Sequence, residues 1–285
     1  MADNNMFKIR GHEKFPLRDG WLNKGIRAVM DNNARIFLEP NGADVLGVGS
    51  NMVKAIRYWM QATGLLIKSG NREELSFFAQ TIYANDPYFE DMFTIWLLHS
   101  NLAKNKEQAT VWYMFFNNIM MEEFSKSDLQ RQINVELYKY VGKQLTESSV
   151  KEDIDVLLNM YSKQSLKNMD PEDKTTSPLS ELGLLKKDGD SYIKVQPDLR
   201  RLSDYVILYE LSCMFIHQAS ISIDNIARGE GSLGAIYNLS RVTVNRYLDN
   251  LEAMGAIRVD RTAGLDMVYP LNIGDPNTII QAYYN

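Results

Sequence analysis

One cysteine and three histidines in 285 residues leave little material for thiol or metal chemistry. Cys213 stands beside Met214 and Phe215 in an apolar segment, where a buried thiol is expected rather than a nucleophile. His12, His99 and His217 lie far apart and show no zinc-ligand spacing, so no metal and no other cofactor is expected. The same scarcity gives no Ser/His/Asp or Cys/His arrangement to argue from. Missing too is any run of about 20 apolar residues that would cross a bilayer. Met1 to Arg10 is polar and charged where a signal peptide would be apolar, so the expected compartment is the cytoplasm, with no membrane partner. Nor is there an excess of positive charge: 31 Lys and Arg face 36 Asp and Glu, a formal net of −5, so the chain has no blanket attraction for nucleic acid.

What is present is the composition of an ordinary globular protein, 45% hydrophobic and 24% charged, long enough for a large core and two or three subdomains. The charge is unevenly spread. Residues 1–70 carry ten basic against six acidic side chains, net +4, which leaves −9 for the rest. Between Arg201 and Asn285 six Arg face nine acids. Local fields govern phosphate attraction, so the N-terminal region is the better electrostatic candidate for DNA.

From Ser222 to Tyr269 the pattern is that of a helix-turn-helix followed by a two-stranded wing. Ser222 is placed to cap a short helix over Ile223–Ala227, and Arg228-Gly229-Glu230-Gly231 breaks it. A second helix is expected from about Leu239 to Met254, with Val242, Val244, Leu248 and Leu251 inward and Arg241, Thr243, Asn245 and Arg246 on the wetter arcs. Gly255 stops it, and Ala256–Arg261 alternates as a strand that carries Arg258 and Arg261. Thr262-Ala263-Gly264 forms the wing tip, and Leu265–Tyr269 returns until Pro270.

The N-terminus repeats this order. Trp21–Met30 is amphipathic, Asn41–Leu46 makes a short helix, and Gly47-Val48-Gly49 turns. Ser50 is expected to cap a helix from Asn51 to about Thr63, with Ser50, Asn51, Lys54, Arg57 and Gln61 presented outward as a recognition face. Gly64 ends it, Leu65–Lys68 begins a strand that places Lys68 near a wing phosphate, and Glu74–Phe78 returns. The Gly-x-Gly lacks the continuation of a dinucleotide or nucleoside-triphosphate loop, so it is assigned to the turn.

Residues 78–161 read as helices over Tyr88–His99, Glu107–Phe116 and Ser127–Gln144. Trp96, Trp112, Tyr113, Phe115 and Phe116 are assigned to core, because no Lys or Arg interleaves them as a base-stacking platform requires. Glu147–Tyr161 suggests a third helix-turn-helix with Lys151, Glu152, Asp153 and Asp155 outward, a face suited to a protein rather than to phosphate. Gln164–Ser177 is polar and aperiodic, a linker. A hairpin around Asp188-Gly189-Asp190 and an apolar helix over Leu202–Ile216 follow it.

The expected fold class is therefore mostly α with small β-hairpin wings, an α+β chain of tandem winged helix-turn-helix modules on a helical scaffold. Its divisions fall at 1–80, 81–200 and 201–285. His12-Glu13-Lys14-Phe15, Arg18, Gly20-Trp21-Leu22, Lys24-Gly25, Leu46-Gly47-Val48-Gly49, Asn51-Met52-Val53, Ile56-Arg57-Tyr58-Trp59 and Gly64-Leu65 resemble the N-terminal signature of the bacterial domain-of-unknown-function 4007 family. Pro178-Leu179, Glu181-Leu182-Gly183-Leu184, Ser222-Ile223-Asp224, Gly229-Glu230, Thr262-Ala263-Gly264-Leu265 and Asp275-Pro276 are similar to its later landmarks. The resemblance implies a setting among DNA phosphorothioation, sulfur-transfer and phage-defence systems.

The expected function is a non-enzymatic, double-stranded-DNA-binding accessory or regulator, with a protein scaffold that docks a sulfur-transfer or DNA-modification partner as the alternative. His12 beside Glu13 suggests acid–base chemistry, but adjacent side chains diverge. Hydrogen bonds that tie the N-terminal segment to the first helix are expected instead.

Overall fold

Apolar spacing and local caps set the helices of this chain, and their order then repeats. The computed structural model describes residues 6–162, 176–264 and 266–285. The linker expected over 164–177 falls, as far as residue 175, outside them. Two units are formed, Met1–Val195 and Gln196–Asn285.

The larger unit opens with α1 (Trp21–Asn32), α2 (Gly42–Leu46) and α3 (Ser50–Ala62), followed by strands β1 (Leu66–Ser69) and β2 (Arg72–Leu75). A turn of 3-10 helix, Ala34–Phe37, joins α1 to α2. On α3 the buried set Val53, Ile56, Trp59 and Met60 makes one face, and Trp59 donates its indole N–H to the Phe15 carbonyl at 3.1 Å. The β1–β2 register pairs Ser69 with Arg72, so Gly70-Asn71 is a two-residue turn, and Gly70 takes the positive φ such a turn needs. The return strand thus begins at Arg72 and not at Glu74.

Next come α4 (Phe77–Asn85), α5 (Met92–Lys104) and α6 (Thr110–Asn117). Trp96, Trp112, Tyr113, Phe115 and Phe116 are all buried, as their spacing without basic neighbours indicates. Strand β3 (Glu123–Ser125) leads into α7 (Lys126–Val141), where Ser125 and Asp128 cap each other's backbone amides. Helix α8 (Glu147–Tyr161) follows, then β4 (Leu185–Asp188) and β5 (Ser191–Lys194). These strands assemble in the order β3-β5-β4, so the hairpin beyond the expected linker joins the same sheet as a strand that the sequence reading missed.

The second unit is built the same way. It contains α9 (Asp204–Phe215), β6 (Ile221–Ser222), α10 (Ile223–Arg228), α11 (Leu233–Tyr237) and α12 (Arg241–Ala253). Strands β7 (Ile257–Asp260) and β8 (Met267–Pro270) and the final helix α13 (Pro276–Tyr284) complete it. Its strand order, β6-β8-β7, repeats that of the other three-stranded sheet: a strand before the helices, then a hairpin whose second strand sits in the middle.

Ser222 and Ser240 accept backbone N–H bonds at the starts of α10 and α12. After the Gly-rich break comes α11, a helix not expected between the break and Leu239, and it approaches α10 closely at Gly234. A Cβ added there would stand 1.8 Å from the Ala227 carbonyl oxygen. Gly234→Ala is accordingly expected to destabilise the smaller unit by at least about 1–3 kcal/mol, the usual cost of overpacking. Urea denaturation followed by circular dichroism measures it, and an unchanged midpoint would contradict this packing. Cys213, on α9, is only partly buried rather than enclosed as its neighbours suggested.

Candidate nucleic-acid interface

Helix α3 presents its first turn to solvent. Gly49 occupies the N-cap position and Ser50 is the first helical residue, with no side-chain cap bond, so Ser50 is free rather than spent as a cap. Asn51 and Lys54 are exposed beside it, and Lys54 donates to the Asn51 side-chain oxygen at 3.2 Å. Lys68, on β1, is also exposed.

Arg57 and Gln61 depart from the expected recognition face. The Arg57 guanidinium makes a two-pronged contact with Glu73 on β2, at 2.9 and 3.0 Å, and the pair is half-buried. Gln61 donates to the same carboxylate at 2.6 Å and accepts from Lys8 at 3.3 Å. These four side chains form an internal polar network, so Arg57 and Gln61 hold the hairpin to the helix and are not ready phosphate contacts. Burial lowers the Lys8 pKa, and the nearby Arg57 adds to the effect.

Beside this network lies a cleft of about 610 Å³. Arg35, Arg57, Lys68 and Arg72 line it together with Asn33, Leu38 and the Gly70-Asn71 turn, and Glu73 is its single carboxylate. Arg35 and Arg72 are exposed, and neither makes an ion pair among the described residues. The sequence reading assigned neither to a site. Arg72 follows from the two-residue turn once Gly70-Asn71 is read as one, whereas Arg35 reaches the cleft through the 3-10 turn after α1, which no periodicity signals.

The C-terminal candidates are largely occupied. Arg241 lies 3.1 Å from Asp266 and 3.5 Å from Asp224, and Arg261 lies 2.7 Å from Asp249. Thr243 is buried and donates to Gln196, a structural bond where an outward contact was expected. Asn245 donates to the Arg241 carbonyl and accepts from Arg261. Arg258 lies over the ring of its cross-strand partner Tyr269, 4.7 Å from the centroid. Arg246 is exposed, with its guanidinium over the Tyr247 ring at 5.9 Å from the centroid. Val242, expected to point inward, is 81% exposed on α12.

His12 is fully buried. It stacks on Trp59, meets Tyr58 and Trp112 edge-on, and lies 3.0 Å from Asp153 of α8 through Nε2. The Lys14 amide donates to Nδ1, which assigns the proton of the neutral ring to Nε2 and hence to the bond with Asp153. The Arg10 amide donates to the same carboxylate oxygen at 2.9 Å. Burial raises the Asp153 pKa, against the opposing pull of the His12 hydrogen bond. Glu152 pairs with Arg10 and Lys14. Asp153 therefore faces inward, and only Lys151 of the four expected outward side chains is fully exposed.

The N-terminal segment thus engages Glu152 and Asp153 of α8, and Asp155 pairs with Lys126 at 2.7 Å, so three of the four side chains expected outward are already occupied. His12 and Glu13 do not converge on a solvent-open site; hydrogen bonds do tie the N-terminal segment down, but to α8 and α3 where the first helix, α1, was expected. Among the described residues, no group of three or more His, Cys, Asp or Glu side chains is placed to hold a metal ion. No described helix is long and apolar enough to cross a membrane.

The fold is similar to that of a protein named SspB, in one structure without further qualification and in another with a magnesium ion bound. Each aligns with a TM-score of 0.84 and 24% identity, over 96% of this chain and 86% of the other. No curated protein matches the chain. The family model described as "Protein of unknown function (DUF4007)" matches residues 9–284, nearly the whole length, and this chain belongs to that family.

Proposed function

We propose that this protein binds double-stranded DNA through its N-terminal module, read as a winged helix in which α3 enters the major groove and the β1–β2 hairpin is the wing. One observation carries this: Ser50, Asn51 and Lys54 on the first turns of α3, and Lys68 on the hairpin, are all exposed, and neither lysine forms an ion pair with a carboxylate among the described residues. Recognition helices use their N-terminal residues on base edges, which suits the uncovered end of α3 and tolerates the loss of Arg57 and Gln61 to Glu73. The repeated strand orders of the other two sheets support reading them as winged helices as well. A role as an accessory or regulator in a DNA-modification or phage-defence system extends the family resemblance.

Lys54→Ala combined with Lys68→Ala is expected to weaken duplex binding and to flatten the dependence of log K on log salt by about 2, at roughly −0.9 per phosphate contact. Fluorescence anisotropy of a labelled duplex across a salt series reads both. Identical slopes for the variant and the wild type, or no binding at low salt, would overturn the assignment.

A second reading concerns the smaller unit alone. With Arg241 and Arg261 paired and Val242 exposed, the outer face of α12 suits a protein partner better than phosphate, in keeping with a scaffold that docks a DNA-modification or sulfur-transfer protein.

A further inference from the structure

The cleft beside the hairpin is concave and has the volume of a small-molecule pocket, with a lining that is mostly cationic and polar. Its volume of about 610 Å³ falls inside the range of ligand sites, roughly 300–1,000 Å³. The charge is concentrated and uncompensated. Arg57 and Glu73 satisfy each other, which leaves Arg35, Lys68 and Arg72 as three cations with no carboxylate partner among the described residues.

Two of these groups are guanidiniums, whose planar forks match phosphoryl oxygens two at a time. Three residues after Arg35, at the end of the same 3-10 turn, the lining includes Leu38, 67% exposed, an apolar surface on which a flat ring can lie. Asn33 and Asn71 add amide groups able to donate and accept at a heterocycle's edge. Arg57 and Glu73 also line the cleft, and their pairing fixes the hairpin against α3, so Lys68 and Arg72 are carried on a braced strand pair.

We propose that this cleft binds a nucleoside diphosphate. The diphosphate, with roughly three negative charges near neutral pH, meets Arg35, Lys68 and Arg72, and the base packs on Leu38. The pocket shares Lys68 with the duplex-binding surface but does not depend on it, because Ser50, Asn51 and Lys54 do not line the cleft.

Isothermal titration calorimetry of the full chain with ADP, adenosine and inorganic phosphate, beside duplex anisotropy on the same samples, tests the assignment. ADP is expected to bind, adenosine and phosphate alone to bind at least about 10-fold more weakly, and Arg35→Ala with Arg72→Ala to weaken ADP about 30-fold or more. Both substituted side chains are exposed, so the melting temperature of the double variant should match the wild type.

No heat with ADP overturns the pocket, as does phosphate binding as tightly as ADP, or a double variant that binds ADP normally. Duplex binding without ADP binding would retire the pocket and leave the groove contact standing. ADP binding without duplex binding would do the reverse.

Discussion

His12→Ala is expected to destabilise the larger unit by about 3–5 kcal/mol, the cost of breaking a buried pair by removing one partner. Two losses combine. The ring fills the space between Trp59, Tyr58 and Trp112, so its removal leaves a cavity lined by aromatic faces. It also strips the Asp153 carboxylate of the Nε2–H donor, leaving only the Arg10 amide on that oxygen. The apparent Tm should fall by roughly 10 °C, at the roughly 2–4 °C per kcal/mol of a domain this size.

Asp153→Asn provides the contrast. The amide oxygen still accepts from His12 and from Arg10, and no buried charge remains to be solvated, so its cost should stay near 1 kcal/mol. Differential scanning calorimetry of both variants measures the difference. A His12→Ala protein as stable as the wild type would show that the N-terminal segment does not clamp α8 and α3, and would reopen the acid–base reading of His12.

That clamp shows where sequence reasoning stops. Ser222, Gly255 and the apolar set Val244, Leu248 and Leu251 each act within one or two turns of chain, and they fix a cap, a stop and a buried face as their local chemistry requires. His12 and Asp153 are 141 residues apart, and nothing in either neighbourhood announces the other. Arg57 and Glu73 are closer, and here a signal existed. Reading Gly70-Asn71 as a two-residue turn sets Glu73 opposite Lys68, on the hairpin that follows α3, where a carboxylate meets the Arg57 guanidinium.

Starting the return strand at Glu74 hid this pairing and left Arg57 on the recognition face. The same limit separates the two candidate surfaces. Unpaired charge at Lys54 and Lys68 is legible as local excess, whereas the neutralisation of Arg241 by Asp224 and Asp266 needs the sheet to bring β8 beside the helix.

Lys194 yields the second large effect, one that pH exposes without mutating any surface. Its ammonium donates to the Phe115 and Ile119 carbonyls, each at 2.7 Å, at the C-terminal end of α6, and lies 4.4 Å from the Phe115 ring centroid. Among the described residues no carboxylate pairs with it, and burial brings its pKa down from 10.5 to about 7. The unfolded chain therefore binds more protons than the folded one between pH 7 and 10.5, and stability must rise with pH across that window. Below pH 7 both states are protonated, and the full cost of enclosing the charge persists.

At about 1.4 kcal/mol per pH unit of displacement, discounted because the side chain keeps some contact with solvent, the gain is of order 3 kcal/mol. Lys194→Met removes the titration while keeping the stem. Tyrosines and other groups that ionise in the same range are common to both proteins and cancel in the difference. Urea denaturation at pH 6.5, 8 and 9.5 should therefore show the wild type gaining stability relative to Lys194→Met at each step. A difference that stays flat over this range would mean that Lys194 keeps its proton throughout, and that the two carbonyls outweigh the loss of water.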